Sequence, residues 1–431
     1  MKLWDKGIDI DKKIEQFTIG NDREIDMNIA KYDIQASIAH AKMLQRVDLL
    51  TQDELKLIER ELHNMHQQLE KGEFIIEKQF EDVHSKIEFE LIKRCGDVGQ
   101  KIHTGRSRND QVLAALHLYY KDQLEAIKNK TYTFFTSLLA LAETHKDKVL
   151  PGYTHLQVAM PSSFGLWFSA YAEQLIDDVY LLDAAFKTVD QNPLGSAAGY
   201  GSSFPIDRSF TTRELHFSTL KYNVVAAQMS RGKSERTIAM ALGSLCNTLS
   251  RFAMDICLYN SQNFDFISFP DQLTTGSSIM PHKKNPDIFE LIRGKCNKIQ
   301  ALHSEMTLIT NNLPSGYHRD FQLLKQNMIS GIEDCLSILD VFDYSINQIQ
   351  VKEVNLDDPK YQYLYSVDQI NSLVEQKVSF REAYRQIGEQ VQSGTYKTTE
   401  SKPHTHEGSL GNLCLNEIRQ KFPKKEDRKT K

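Results

Sequence analysis

Between Gly105 and Pro151 the chain holds neither glycine nor proline, and Val112, Leu116, Tyr119, Gln123, Ile127, Phe134, Leu138 and Leu141 recur at three- and four-residue steps. That spacing puts one face of a helix against a partner. A helix of about 40 residues would be roughly 60 Å long, far beyond the usual globular length, which points to a long bundle. Residues 166–192, 233–262, 286–312 and 318–349 repeat the pattern, with Gly243 and Gly331 interrupting two of them. No alternating strand pattern of any length is visible. The expectation is an all-α fold: a long central helical bundle over 106–350, flanked by smaller helical domains over 1–105 and 351–431.

The first hundred residues carry shorter helical signals. Ile34, Ile38, Ala41, Met43 and Leu44 share a face within 29–50. Thr51 and Glu54 have capping-box spacing and open a second helix that Gly72 ends. A third is expected over Glu81 to Lys93, ahead of Gly96 and Gly99. After Asp357-Asp358-Pro359 the composition shifts, and residues 424–431 read as a charged, frayed tail.

Composition narrows the function classes. The 431 residues are 25% charged and 40% hydrophobic, with a net charge of -5, so no bulk attraction to nucleic acid is implied. No run of about 18 uncharged apolar residues occurs, so no bilayer span is expected. The opening Met1-Lys2-Leu3-Trp4-Asp5-Lys6 soon meets acids and lacks the apolar core of a signal peptide. Six scattered cysteines without a Cys-x-x-Cys pair read as reduced thiols of a cytoplasmic protein. His404 and His406 have no third ligand nearby, so no metal is expected. Long helices with apolar stripes usually bury them against other subunits, and a homo-oligomer is expected.

The chemistry gathers in loops. Thr274 to Asp287 has no hydrophobic period, and Gly276 and Pro281 mark it as loop. Asn285-Pro286-Asp287 reads as an N-cap, a proline at the first helical position and an acid in the first turn. A loop carrying Ser277, Ser278, Lys283 and Lys284 thus ends at a helix N-terminus, a natural anion site. The plainer reading is a solvated connection with a good cap. Ser277 lacks a Gly-x-Ser-x-Gly elbow, so an acyl-serine is not expected; a serine alkoxide could instead act as base if Lys283 and the helix dipole lower the cost of its charge. Arg106-Ser107-Arg108-Asn109, at the start of the longest helix, can clamp a carboxylate, unless the arginines merely pair with nearby acids. His155, in a Pro-Gly-Tyr-Thr-His loop beside Thr154 and Gln157, is a candidate proton donor or acceptor; His84 has a weaker claim. There is no phosphate loop and no dinucleotide fingerprint.

Together these segments resemble the fumarase/aspartase superfamily and, within it, the argininosuccinate lyases. Gly276-Ser277-Ser278-Ile279-Met280-Pro281-His282-Lys283-Lys284-Asn285-Pro286 resembles the superfamily signature. His103-Thr104-Gly105-Arg106-Ser107-Arg108-Asn109-Asp110-Gln111 is similar to the segment that distinguishes the argininosuccinate lyases. Pro151 to Gln157 and Leu291-Ile292-Arg293-Gly294-Lys295 also fit, and the likeness runs from Leu3-Trp4 to about Glu389. The resemblance implies a cytoplasmic homotetramer with active sites shared between subunits, and reversible cleavage of argininosuccinate to arginine and fumarate without metal or organic cofactor. It implies Ser277 as base, Lys283 and Asn285 as stabilisers of the carbanion intermediate, and His155, partnered by Glu290, as acid or orienting group. It further implies substrate binding by Arg108, Asn109, Thr154, Asp82, His84, Tyr317, Gln322, Lys325, Ser107 and Ser278.

There are departures. Where these lyases usually read Ser-Asp-Arg-Asp, this chain has Ser230-Arg231-Gly232-Lys233, and Arg23 stands where a substrate-binding serine is common. Leu323-Leu324 replaces a pair of acids after Gln322, and His282 is a feature of adenylosuccinate lyases. Arg23, Arg231 or Lys233 is expected to replace the lost cation. Lysis of another N-succinyl compound, such as adenylosuccinate, and an inactive structural role remain the alternatives.

Overall fold

The structure is a computed structural model that describes residues 11–398 and 404–423. The opening Met1–Lys6, including Leu3-Trp4 where the resemblance begins, and the charged tail over 424–431 lie outside the described residues. Helix dominates at 64% of the chain, and the strands are few and short. The fold is all-α. The chain divides into two compact units, one of residues 1–128, 181–244 and 298–336, the other of 129–180, 245–297 and 337–431.

In the first unit the local signals act as the side chains dictate. Thr51 accepts from the Glu54 N–H while the Glu54 carboxylate accepts from the Thr51 N–H, and the helix Gln52–Glu70 follows. The helix Ala30–Arg46 packs against it, burying Ile34, Leu44, Ile58 and Leu62. Asp82 caps Val83–Cys95, and Gly96 ends it with a φ of 60°. The longest helix, Arg108–Thr144, has 37 residues against the 40 expected, and only its part up to Lys128 belongs to this unit.

Three differences from the sequence reading have physical causes. First, 286–312 is two helices, Asp287–Gln300 and Leu302–Thr310. Second, Gly331 does not break Leu324–Ile346; it admits a neighbour, since a Cβ there would stand 2.3 Å from Leu302 Cδ1. The break lies instead in Ser230–Tyr259, where Arg231 is extended (φ -63°, ψ 131°) and Gly232 has a φ of 83°. A Cβ at 232 would also lie 2.6 Å from Thr310 Cγ2, so glycine is required twice over.

The third difference is in the second unit. Val149–Thr154 and Gln157–Ser163 form an antiparallel hairpin where a loop was expected. The register shifts between Pro151 and Tyr153, and this bulge erases the two-residue alternation that announces a strand. Gly152 lets the strands approach, because a Cβ would meet the Met160 carbonyl at 2.8 Å. The unit's core is aromatic: the Phe342 ring lies 4.9 Å from Phe134 and 5.2 Å from Phe252, and Tyr171 stacks on Phe252 at 4.3 Å. Near the end of the chain, Ser366–Glu375 and Phe380–Gln392 pack around Ile370, Ala383 and Ile387.

Candidate active site

The sequence-derived site residues fall into two groups, one in each unit. In the first unit they join a connected network. Asp82 turns one oxygen to the Ser85 N–H and hydroxyl, at 2.8 and 2.7 Å, and the other to Arg108 Nη1 at 3.2 Å. Arg108 also donates to Glu81 at 2.8 Å and Ser85 Oγ at 2.7 Å. Burial alone would raise the Asp82 carboxyl, but His84, Arg108 and the Ser85 donors hold it below the ordinary carboxylate range. His84 donates Nδ1 to Asp33 at 3.0 Å, and Gln111 donates to both Asp33 oxygens at 2.9 and 3.1 Å. Burial opposes a charge on His84, yet Asp33 and then Asp82 outweigh it and raise its pKa, while its Nε2 is buried without a partner. Whenever the ring is protonated, that orphaned nitrogen is a buried donor without an acceptor.

Lys325 is the second anchor. Buried, it meets Asp26 at 2.6 Å and Asp22 at 3.1 Å. Burial opposes its charge, and the two aspartates overturn that and raise its pKa. One cation serves two acids, and burial, only partly offset by Lys325, pushes Asp22 up. Asp26 also accepts from the Val83 N–H at 3.3 Å, tying Lys325 to the helix that Asp82 caps. Asp22, Asp26, Asp33 and Gln111 were not anticipated; no local sequence pattern announces that they converge.

Ser107 caps the longest helix: its N–H donates to Asp110 at 2.9 Å, and its hydroxyl accepts from the Asn109 N–H at 3.3 Å. The other Asp110 oxygen accepts from Gly195 and Ala197 at 2.9 and 3.0 Å, holding the 193–199 loop against this end of the helix. Burial pushes Asp110 up to about 6 despite these donors. Arg106 is buried on Ser37 Oγ at 2.9 Å. Both arginines of the expected clamp are therefore engaged within the fold, and Asn109 stands half-buried beside them at the start of the helix.

Gln322 and Tyr317 sit on the next segment of this unit. Gln322 donates to the Thr18 and Ile19 carbonyls at 2.9 and 3.4 Å, and Arg319 donates to Thr18 at 2.9 Å. Tyr317 packs edge-on against Phe321 at 6.0 Å. The Arg23 guanidinium turns to the backbone, donating to the Phe80 and Lys78 carbonyls at 2.6 and 3.0 Å.

The second unit holds Ser277, Ser278, Lys283, Asn285, Glu290, Thr154 and His155, and their setting is the opposite. Thr275 and Asn285 pair backbone to backbone at 2.8 and 3.3 Å, closing a loop over 276–284. Asn285 is not the helix cap. The Pro286 carbonyl accepts the first helical bonds, from Phe289 and Glu290, and the Asn285 amide turns back to Gly276 O at 3.4 Å. Ser277 Oγ accepts two backbone N–H groups, Ile279 at 3.3 Å and Met280 at 3.2 Å. Two donors on one hydroxyl oxygen stabilise that oxygen as an anion. Ser278 and Lys283 are exposed; Lys284 pairs with Asp271, whereas Lys283 pairs with no described acid. Ile279, at the tip, is 83% exposed.

His155 sits at the hairpin turn with a φ of 54°, followed by Leu156 at 59°. Two successive non-glycine residues in the left-handed region mark a strained turn. It thrusts both side chains outward, and Leu156 is 71% exposed. Below the turn Tyr153 packs on Phe264 at 5.3 Å. Thr154 and Glu290 are exposed, and His155 and Glu290 share no hydrogen bond. Among the described residues no cluster of histidine, cysteine and acidic side chains could hold a metal ion, and no helix is long and apolar enough to cross a membrane.

The lyase family pattern covers residues 8–301. The argininosuccinate lyase of Bacteroides fragilis is 51% identical over 417 residues, spanning 97% of this chain and 93% of that protein. That of Thermotoga neapolitana is 42% identical across 90% of this chain and 98% of its own. Among solved structures, an EDDS lyase variant with bound fumarate superposes with a TM-score of 0.73 at 21% identity, covering 88% of this chain and 76% of that one. The class II fumarase of Schistosoma mansoni superposes at 0.69 and 16%, covering 89% and 91%. At such identities the two structures speak to the fold alone.

Proposed function

The chain belongs to the argininosuccinate lyase family, and from that premise we propose how its residues divide the labour of the reaction. The enzyme cleaves argininosuccinate reversibly into arginine and fumarate. Ser277 is the base. Its Oγ takes the proton from the carbon beside a succinyl carboxylate, and the electron pair left behind spreads into that carboxylate. Lys283 and Asn285 stabilise the extra charge; Asn285 exchanges its bond to Gly276 O for one to substrate. The pair then forms the carbon–carbon double bond as the carbon–nitrogen bond breaks, and the departing guanidino nitrogen takes a proton. His155, which meets Glu290 of another copy in the assembly and not its own, orients or supplies that proton.

The observation that carries the assignment of the base is the pair of backbone donors on Ser277 Oγ. They lower the cost of an alkoxide before any substrate arrives. Binding falls to Arg108, Asn109, Ser107, Asp82, His84, Tyr317, Gln322 and Lys325, with Thr154 and Ser278 beside the chemistry. Copies of the chain complete one another's sites in a cytoplasmic homotetramer. The assembly is supported by the apolar residues left exposed on long helices, including Met240, Met254 and Tyr344.

Purified protein given argininosuccinate should generate the ultraviolet absorbance of fumarate, and the signal should be absent with adenylosuccinate. Absorbance from adenylosuccinate alone would overturn the substrate assignment. Sedimentation should find four copies; an active monomer would overturn the shared site.

A further inference from the structure

The only non-helical residues inside Ser230–Tyr259 carry a buried charge. Arg231 is 6% exposed and Glu235 1%, and Arg231 Nε lies 2.9 Å from Glu235 Oε1. The other Glu235 oxygen accepts from the Gly232 N–H at 2.6 Å, and Tyr120 donates to Oε1 at 3.4 Å. So Glu235 caps the helix that restarts after the kink and neutralises the guanidinium as a close ion pair, although Arg231 Nε makes no hydrogen bond. The remaining arm of Arg231 leaves the helix: Nη2 donates to the Phe321 carbonyl at 2.8 Å. Phe321 lies in the single-turn segment Arg319–Leu323, with its ring against Tyr317, Gln322 next in the chain and Lys325 in the following turn.

A buried ion pair at a strained kink is a poor source of stability, because desolvation of the two charges offsets most of their attraction. Its value lies in where it holds the chain. A planar guanidinium buried beside its carboxylate has little freedom left, and its Nη2 N–H then defines the position of one carbonyl. Gly232 makes this possible, since any side chain there would push into Thr310. On the opposite side the segment is held by Gln322 and Arg319 on the Thr18 carbonyl.

We propose that Arg231 is a positioning residue for substrate binding: through Phe321 it sets the 317–325 segment, and with it Tyr317, Gln322 and Lys325, at the distance argininosuccinate requires. This deepens the reading above and rests on its placement of those three residues at the substrate. Arg231 touches no reacting atom, so it acts on KM and leaves kcat nearly alone.

The test is steady-state kinetics of two variants of the full-length enzyme. Arg231→Lys keeps a cation for Glu235 but cannot reach both partners, and should raise KM for argininosuccinate roughly threefold. Arg231→Met combined with Glu235→Gln removes both charges, retains an acceptor for the Gly232 N–H, and should raise KM about tenfold or more, the loss of one hydrogen bond's worth of placement. In both, kcat should stay within about threefold. KM unchanged in the folded variants, or a fall in kcat without a rise in KM, would overturn the proposal. If the double variant does not fold, the lysine variant decides alone. Failure of the underlying substrate reading is distinguishable, because the wild-type enzyme would then release no fumarate from argininosuccinate.

Discussion

Two lysines of this protein, Lys325 and Lys283, stand for two ways of keeping a charge. Lys325 is buried and bound to Asp26 and Asp22, inside a network that runs through Asp82, Arg108, His84 and Asp33. Lys283 stands exposed on a loop with no described acid beside it. The first arrangement is fixed and internally neutralised before a ligand arrives. The second is uncommitted and therefore weak, since an exposed cation in water attracts little. Binding groups can be built into the core of a unit. Groups that must stabilise a transient charge gain strength only once water is excluded around them. The first unit's group should therefore fail by unfolding when damaged, and the second unit's by losing rate.

The largest contrast is expected at Ser277. Ser277→Ala should lower kcat by about 10²–10⁴-fold, the range for a positioned general base. Its thermal unfolding should match the wild type, because a half-exposed loop hydroxyl bonds only its own loop. A variant that keeps its rate would remove the loop from the chemistry and collapse the comparison. Lys325→Met should do the reverse in kind. It strands Asp22 and Asp26 without their cation and should cost about 3–5 kcal/mol in urea unfolding, as broken buried pairs do. A loss of activity at unchanged stability would mean that Lys325 belongs with Lys283.

The smallest effect concerns Asp110, and it sharpens how far the first unit's network is a matter of folding. Its folded carboxyl, pushed up to about 6, holds a proton more tightly than the unfolded one at 3.8. The stability it contributes is therefore complete below pH 3.8 and lost as pH rises through about 6, on the order of 3 kcal/mol at most. Asp110→Asn should flatten the wild-type decline in unfolding free energy over that window. Parallel pH profiles for the two proteins would show that Asp110 does not titrate there.

Much of the architecture was legible because long helices write themselves into every third and fourth position. The capping box at Thr51 and the helix end at Gly96 are purely local events, and local residues announce them. The hairpin before Phe164 was not legible, because its bulge breaks the alternation and its turn uses His155 and Leu156 where glycine or asparagine would have signalled it. At the site, the loop's chemistry could be read from adjacent residues. The company kept by Lys325 could not, since Asp26 lies 299 positions away and nothing local encodes that meeting. Gly232 looked like a loss of charge; in three dimensions it is the room that lets Arg231 turn inward.

The backbone pairing of Thr275 with Asn285 has a consequence for the entropy of closure. Because the two ends of the loop are already joined, the freedom surrendered in the closure over substrate that the proposed reaction requires would be confined to residues 276–284. The cost of bringing distant chain ends together is met when the protein folds, once, and not again in each turnover. Each residue that does become ordered still costs about 1–2 kcal/mol of backbone freedom, drawn from the interactions the substrate makes. The neck of the loop thus sets how much binding energy is withheld from affinity.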